Sequence, residues 1–146
     1  MTTMYVAGLL FDCEAEKVAL IHKNRGPASL VGRWNAIGGK QDPGELPILA
    51  MYREFLEEAG VYYPNWNLFL LLQGPGWVVS FFEAYSTDAL YKVRTMETEE
   101  VKIWPLENGR VLLPISEKIP DNLTWIIPMA LSHRESNVKF YDVTEI

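Results

Sequence analysis

Three carboxylates stand close together in the chain: Glu54, Glu57 and Glu58, at i, i+3 and i+4 within REFLEEAG. On a helix that spacing places them inside an arc of roughly 100° on one face. Like charges so arranged repel by roughly a few tenths of a kcal/mol per pair when exposed, and by more where water is excluded. Arg53, four residues before Glu57, can offset one of them, but one guanidinium cannot neutralise three carboxylates. A hard divalent cation can. Carboxylate-rich sites with room for water and phosphate oxygens suit Mg²⁺ or Mn²⁺. An isolated acidic cluster of this kind is usually the solvated face of a surface helix, so the flanking residues must decide.

The segment that must position these side chains reads as the most secure helix of the protein. From Ile48 to Ala59 it contains no breaker, Pro47 suits a first turn, and Gly60 sits where a C-terminal cap residue belongs. Ahead of it, WNAIGGK runs into the turn-rich QDPGELP, and Gly38 and Gly39 offer a backbone path closed to other residues. Residues 4–11 and 17–23 read as strands joined by an acidic hairpin, and 24–33 as a loop. Three further strands are expected at 67–73, 77–86 and 101–106, with the charged stretch from Asp88 to Glu100 between the last two. A helix is expected over 120–132, kinked or interrupted at Pro128, and an edge strand over 138–143. The order β-β-β-α-β-β-β-α implies an α+β protein, a mixed sheet with helices packed on it, in one domain spanning 1–146.

Taken together, Gly39, Glu45, Arg53-Glu54, apolar Phe55, Glu57-Glu58, Gly60 and apolar Val61 resemble the Nudix box at every position that pattern specifies. The resemblance implies a Nudix-type α/β/α sandwich with a central mixed sheet, and Mg²⁺-assisted cleavage of a phosphoanhydride. It assigns a metal-facing carbonyl to Gly39 and the central metal ligands to Glu57 and Glu58. Glu54 becomes a further ligand or base, while Arg53 and Glu45 brace the loop against the helix. In such a reaction bound water is acidified and charge on the leaving phosphate is stabilised, with a carboxylate taking the proton. Several Nudix enzymes add an acid from a later loop. In METEE at 96–100, Glu100 is favoured over Glu97 and Glu99, although a solvated acidic loop explains the run equally well.

The flanks resemble the MutT-like branch that acts on oxidised purine nucleoside triphosphates. In RWNAIGGK, Asn35 occupies the position that contacts the base, and in PDNLTW, Asp121 and Asn122 match base-edge side chains. Lys23, Arg25 and Lys40 could meet phosphates. Each assignment has a plain alternative: Asn35 stabilising its own turn, Asp121 or Asn122 capping the next helix. PASL at 27–30 and Ile119 stand where the resembled enzymes carry aromatics, so a stacking platform must come from Trp34 or Trp125, both of a type usually found in cores. His22 and His133 show no ligand spacing and read as structural or exposed.

The expected function is hydrolysis of a nucleoside triphosphate, such as 8-oxo-dGTP, to monophosphate and pyrophosphate. An ADP-ribose-type substrate is the first alternative, supported by a proline, Pro75, some way beyond the box; a Gly-Pro-Gly turn explains that residue as well. A non-catalytic nucleotide-sensing module is the second, and the intact carboxylate set argues against it.

The net charge of −6 works against binding DNA or RNA, because no basic stripe exists to displace counterions. No apolar run approaches the roughly 18 residues of a membrane span. The amino-terminal MTTMYVAGLLFD meets Asp12 and Glu14 directly and reads as a strand rather than a leader. Cys13, the single cysteine, can form no internal disulfide and is expected as a buried or edge-strand filler. The cytoplasm is the default location. The apolar strands after the helix could serve a homodimer interface as easily as a core.

Overall fold

The strand β1 (Thr3–Phe11) organises the protein, and a computed structural model describes it with all other residues from 1 to 146. On one side β1 pairs in parallel with β6 (Trp77–Tyr85), from Thr3 opposite Trp77 to Phe11 opposite Tyr85. On its other side two antiparallel partners share it: β2 (Lys17–His22) takes the far end, and β4 (Ile37–Lys40) takes the near end, with Val6 opposite Gly39. Asp12 shapes the first hairpin, one carboxylate oxygen accepting from the amides of Glu16 and Lys17 at 2.8 and 2.9 Å. The two-residue β3 (Trp34–Asn35) joins β2. The sheet continues through β5 (Asn67–Gly74), β7 (Val101–Glu107), β8 (Arg110–Val111) and β9 (Tyr141–Thr144), in the order β8-β7-β2-β1-β6-β5-β9. Its β1–β6 and β5–β9 pairs are parallel, so the sheet is mixed as expected.

Three helices cover it: α1 (Pro47–Ala59), the single turn α2 (Thr87–Leu90) and α3 (Leu123–Arg134). Alternation along the central strands splits the core in two. Val6 and Leu10 of β1 pack with Ala50, Met51 and Phe55 of α1, while Leu9 and Phe11 pack with Ile126, Ile127 and Ala130 of α3. This is an α+β, α/β/α arrangement, and it explains why the central strands read as continuous apolar runs: both faces are covered. Burying Phe55 or Met51 completely contributes about 1.5–3 kcal/mol each relative to exposure.

α1 begins at Pro47 and stops at Gly60, whose φ of 75° is left-handed and whose amide donates to the Leu56 carbonyl at 3.0 Å. Several expectations need correction. The third strand is split into β3 and β4, and both α2 and β8 lie where no element was expected. α3 runs through Pro128 without interruption; the ring projects into solvent, where the missing amide leaves no buried group unpaired. Cys13 is exposed in the turn after β1 rather than filling a strand. Pro75 is explained by the two-residue turn between β5 and β6, where Gly76 takes a φ of 80°. No helix is long and apolar enough to cross a membrane.

Candidate active site

The site is built where β4 hands the chain to α1, and Arg53 is its hub. Its Nε and Nη2 donate to the two oxygens of Glu45, each at 2.9 Å, and Nη2 also donates to the Lys40 carbonyl at 3.1 Å. Nη1 reaches along the helix to Glu54 at 2.8 Å and to Glu57 at 3.4 Å. A forked guanidinium therefore ties the end of β4, the turn before α1 and two helical carboxylates into one body. Asp42 and Gln41, which the sequence did not single out, complete the turn. The Asp42 amide donates to Glu45 at 3.0 Å, and Gln41 Nε2 donates to the Glu45 carbonyl at 2.9 Å. Their only signal was the turn composition of QDPGE. The Arg53 bonds and the Asp42 amide hold the Glu45 carboxyl at about 2.

The paired glycines are required for space rather than for unusual dihedrals, since neither has a positive φ. A β-carbon on Gly39 would stand 2.6 Å from the Glu54 carboxylate, and one on Gly38 would run into the Val6 backbone. The path is closed to other residues as expected, by close approach rather than by dihedral angle.

Glu57 is the exposed member of the triad, half-open to solvent, whereas Glu54 is largely covered. Glu58 is different again. One of its oxygens is buried with no hydrogen-bond partner. Burial, opposed by Lys23 and reinforced by the charges of Glu54, Glu99 and Glu97, raises its carboxyl to about 8. As placed, no three acidic, histidine or cysteine side chains close around a common point. Arg53 draws Glu54 and Glu57 toward itself, and mutual repulsion favours that spread. The orphaned Glu58 oxygen, the adjacent Glu54 and the movable Glu57 nevertheless form a hard, oxygen-only donor set that fits Mg²⁺ or Mn²⁺.

Among the later acids, the charges of Glu99 and Glu97 act on Glu58. Glu99 is buried, bonded to Lys23 Nζ at 3.0 Å and to the Asn24 amide at 2.8 Å, while Glu100 is exposed. Lys23 is therefore committed to Glu99 and stands beside Glu58. Lys40 contributes its carbonyl to Arg53, and its side chain is exposed without an ion pair. Asn35 is buried, and its Nδ2 donates to the carbonyls of Leu30 and Arg33 at 3.2 and 2.8 Å, so its donor serves its own loop. The main-chain amide of Trp34 donates to the Lys118 carbonyl at 2.8 Å and its indole to Glu117 at 3.1 Å, which draws the segment before α3 against β3. On that segment Asp121 and Asn122 make no side-chain cap, and neither side chain bonds to protein. Trp34 is core, packed edge-on to His22 and Trp104, whereas Trp125 is partly exposed on α3.

Residues 1–126 match the family model described as NUDIX domain. The chain belongs to this family. A human relative of this Nudix protein, 8-oxo-dGDP phosphatase NUDT18 of Homo sapiens, is 29% identical over 132 residues. Those residues make up 90% of this chain but 40% of the relative, so the chain spans less than half the relative's length. The NUDIX domain of Shewanella oneidensis NrtR, solved with ADP ribose, superposes with a TM-score of 0.72 at 20% identity, over 92% of this chain and 89% of that one. A MutT/nudix family protein from Enterococcus faecalis gives 0.71 at 18%, over 91% and 62%. At these identities the structures establish the Nudix fold.

Proposed function

We propose that this Nudix protein hydrolyses a phosphoanhydride of an oxidised purine nucleotide, with 8-oxo-dGTP converted to the monophosphate and pyrophosphate. The observation that carries this reading is the α1 carboxylate set braced by Arg53, with one buried Glu58 oxygen lacking any partner. Glu54, Glu57 and Glu58, with the Gly39 carbonyl, would hold Mg²⁺ or, in its place, Mn²⁺. Bound there, the cation would acidify water and offset charge on the phosphates. The water oxygen would attack one phosphorus as the bridging P–O bond breaks, with a carboxylate accepting the water proton. Glu54 is the base we favour, because Arg53 holds one of its oxygens at 2.8 Å and the carboxylate packs against Gly39. For the later acid we favour Glu99 over Glu100, since it lies against Lys23 and its charge acts on Glu58.

Asp121 and Asn122 read the base edge, as their side chains are not spent on capping α3. Asn35 can offer the base only its carbonyl oxygen, both amide hydrogens being engaged. Trp125 is the exposed ring available for stacking. The relative named as an 8-oxo-dGDP phosphatase favours the oxidised purine and also makes the diphosphate a substrate to compare. The partner is a small nucleotide rather than a nucleic acid polymer or a membrane.

A panel of 8-oxo-dGTP, 8-oxo-dGDP, dGTP and ADP-ribose in Mg²⁺, with products separated, tests the reading. Pyrophosphate release from 8-oxo-dGTP is expected, and Asn122→Ala should alter the ranking of bases. Preferential cleavage of ADP-ribose would sink the triphosphate assignment, orthophosphate from 8-oxo-dGDP would move it to the diphosphate, and no turnover of any substrate would favour a sensing module.

A further inference from the structure

Away from α1, the deepest acid is Glu83, 2% exposed on the α3 face of β6, opposite Leu9 of β1 and Asn67 of β5. It meets His133, in the last turn of α3, with Oε1 and Nδ1 2.6 Å apart. The other ring nitrogen, Nε2, lies 2.8 Å from the Lys139 carbonyl. A carbonyl can only accept, so Nε2 carries a hydrogen. The Nδ1 contact then needs one more proton, either on imidazolium facing carboxylate or on a carboxylic acid facing neutral imidazole. In both forms the pair shares one proton and is neutral. Without it, a lone pair faces a carboxylate, and the contact must open.

Nothing around the pair supplies a substitute proton. The Tyr85 hydroxyl lies 3.3 Å from the other Glu83 oxygen and 3.3 Å from the Ala130 carbonyl, and burial and the Glu83 charge keep it protonated. Arg134 stacks on the Tyr85 ring at 3.9 Å and donates to the Cys13 carbonyl. Glu135 and Lys139 are exposed, and the rings of Phe69 and Tyr141 pack against the imidazole.

The pair ties three segments together: β6, the end of α3 and the chain leading into β9. Beyond it, β9 is a short edge strand, held by its parallel ladder to β5, by Gln73 donating to Asp142 at 2.9 Å and by the Glu145 amide donating to Gln73. We propose that the proton shared by Glu83 and His133 clamps residues 135–144 onto the sheet. Its loss at alkaline pH frees this strap and opens the cleft of about 580 Å³ that Trp66, Asn67, Ser136, Val138 and Lys139 line beside the pair.

The direction of titration agrees with the geometry. Burial raises the Glu83 carboxyl against its bonds to His133 and Tyr85. Burial opposes a charged imidazole, but the Glu83 and Lys139 bonds outweigh it and raise His133. The folded protein therefore binds more protons here than the unfolded chain, and the stabilisation is complete below the ordinary histidine value and lost as pH rises through the elevated one.

The test follows the imidazole nitrogens of His133 by NMR and backbone amide exchange in the whole protein, from about pH 6 to about pH 9. Protection of the β9 amides, corrected for intrinsic rate, should fall about tenfold per pH unit above the His133 midpoint while the β1–β6 amides stay protected. Glu83→Gln, whose amide can donate to neutral imidazole, should keep the strap closed and remove the pH dependence. Glu83→Ala should leave it open throughout. Constant β9 protection while His133 titrates, or an unchanged midpoint in Glu83→Gln, would overturn the proposal. Should the variants not fold, the coincidence of the two wild-type midpoints, or its absence, decides.

Discussion

Arg53 donates five hydrogen bonds, to both oxygens of Glu45, to Glu54, to Glu57 and to the Lys40 carbonyl, and no lysine can reproduce that fork. Arg53→Lys keeps the charge but releases the Glu54 carboxylate and the loop. Turnover is expected to fall by about 10–100-fold with the fold retained, measured as kcat/KM beside a circular dichroism spectrum. An activity within twofold of wild type would show that the brace is unnecessary. Glu45 titrates in the same network. Its folded value, depressed to about 2, makes it a group whose stabilisation is present above the ordinary carboxylate range and is lost as pH falls through about 2. Thermal stability of Glu45→Gln should therefore lie below wild type at neutral pH and converge with it toward that acid limit. A constant gap across the range would contradict the pairing. The Glu45–Arg53 partnership was legible from the family pattern alone. The Lys23–Glu99 ion pair was not, because three acids in METEE are equivalent until β2 and the following loop bring Lys23 and the Asn24 amide against one of them.

At the scale of elements, α1 is the part that local signals specify completely: proline at the start, glycine at the stop and no breaker between. The strand β4 is set by something non-local. Its glycines are needed because β1 and the Glu54 side chain crowd them, and no neighbour in sequence reveals that. Gly39→Ala should accordingly leave the sheet formed but displace Glu54. A loss of turnover is expected with the melting temperature lowered by only about a few degrees. Wild-type turnover in this variant would remove the close approach from the account. The misread elements have two causes. α2 and β8 are too short to carry periodicity, and α3 passes through Pro128 because packing of Leu123, Ile126, Ile127 and Ala130 outweighs local propensity.

Across the whole molecule, a sheet covered on both faces separates two kinds of chemistry. The α1 face gathers acids beside Lys23 and Arg53, and the α3 face buries the Glu83–His133 pair under the carboxyl-terminal strap. The acids that act on Glu58, namely Glu54, Glu97 and Glu99, outnumber the one lysine that opposes them, so a cation bound there would offset the repulsion met by a phosphate ligand. The sequence made this legible because the box spans a single loop and helix. The side proposed to read the base stayed ambiguous because Asn35 and Asp121–Asn122 are far apart in the chain, and the bonds from Trp34 to Glu117 and Lys118 that draw the segment before α3 against β3 have no local signal. The most direct measurement of the central claim is the rate of nucleotide hydrolysis by wild type and Glu58→Gln, each in Mg²⁺ and after chelation. Turnover in Mg²⁺ is expected to be abolished by chelation and lowered at least about hundredfold by Glu58→Gln, with the fold intact. Equal turnover by the variant, or turnover that survives chelation, would contradict a catalytic cation held by the α1 carboxylates.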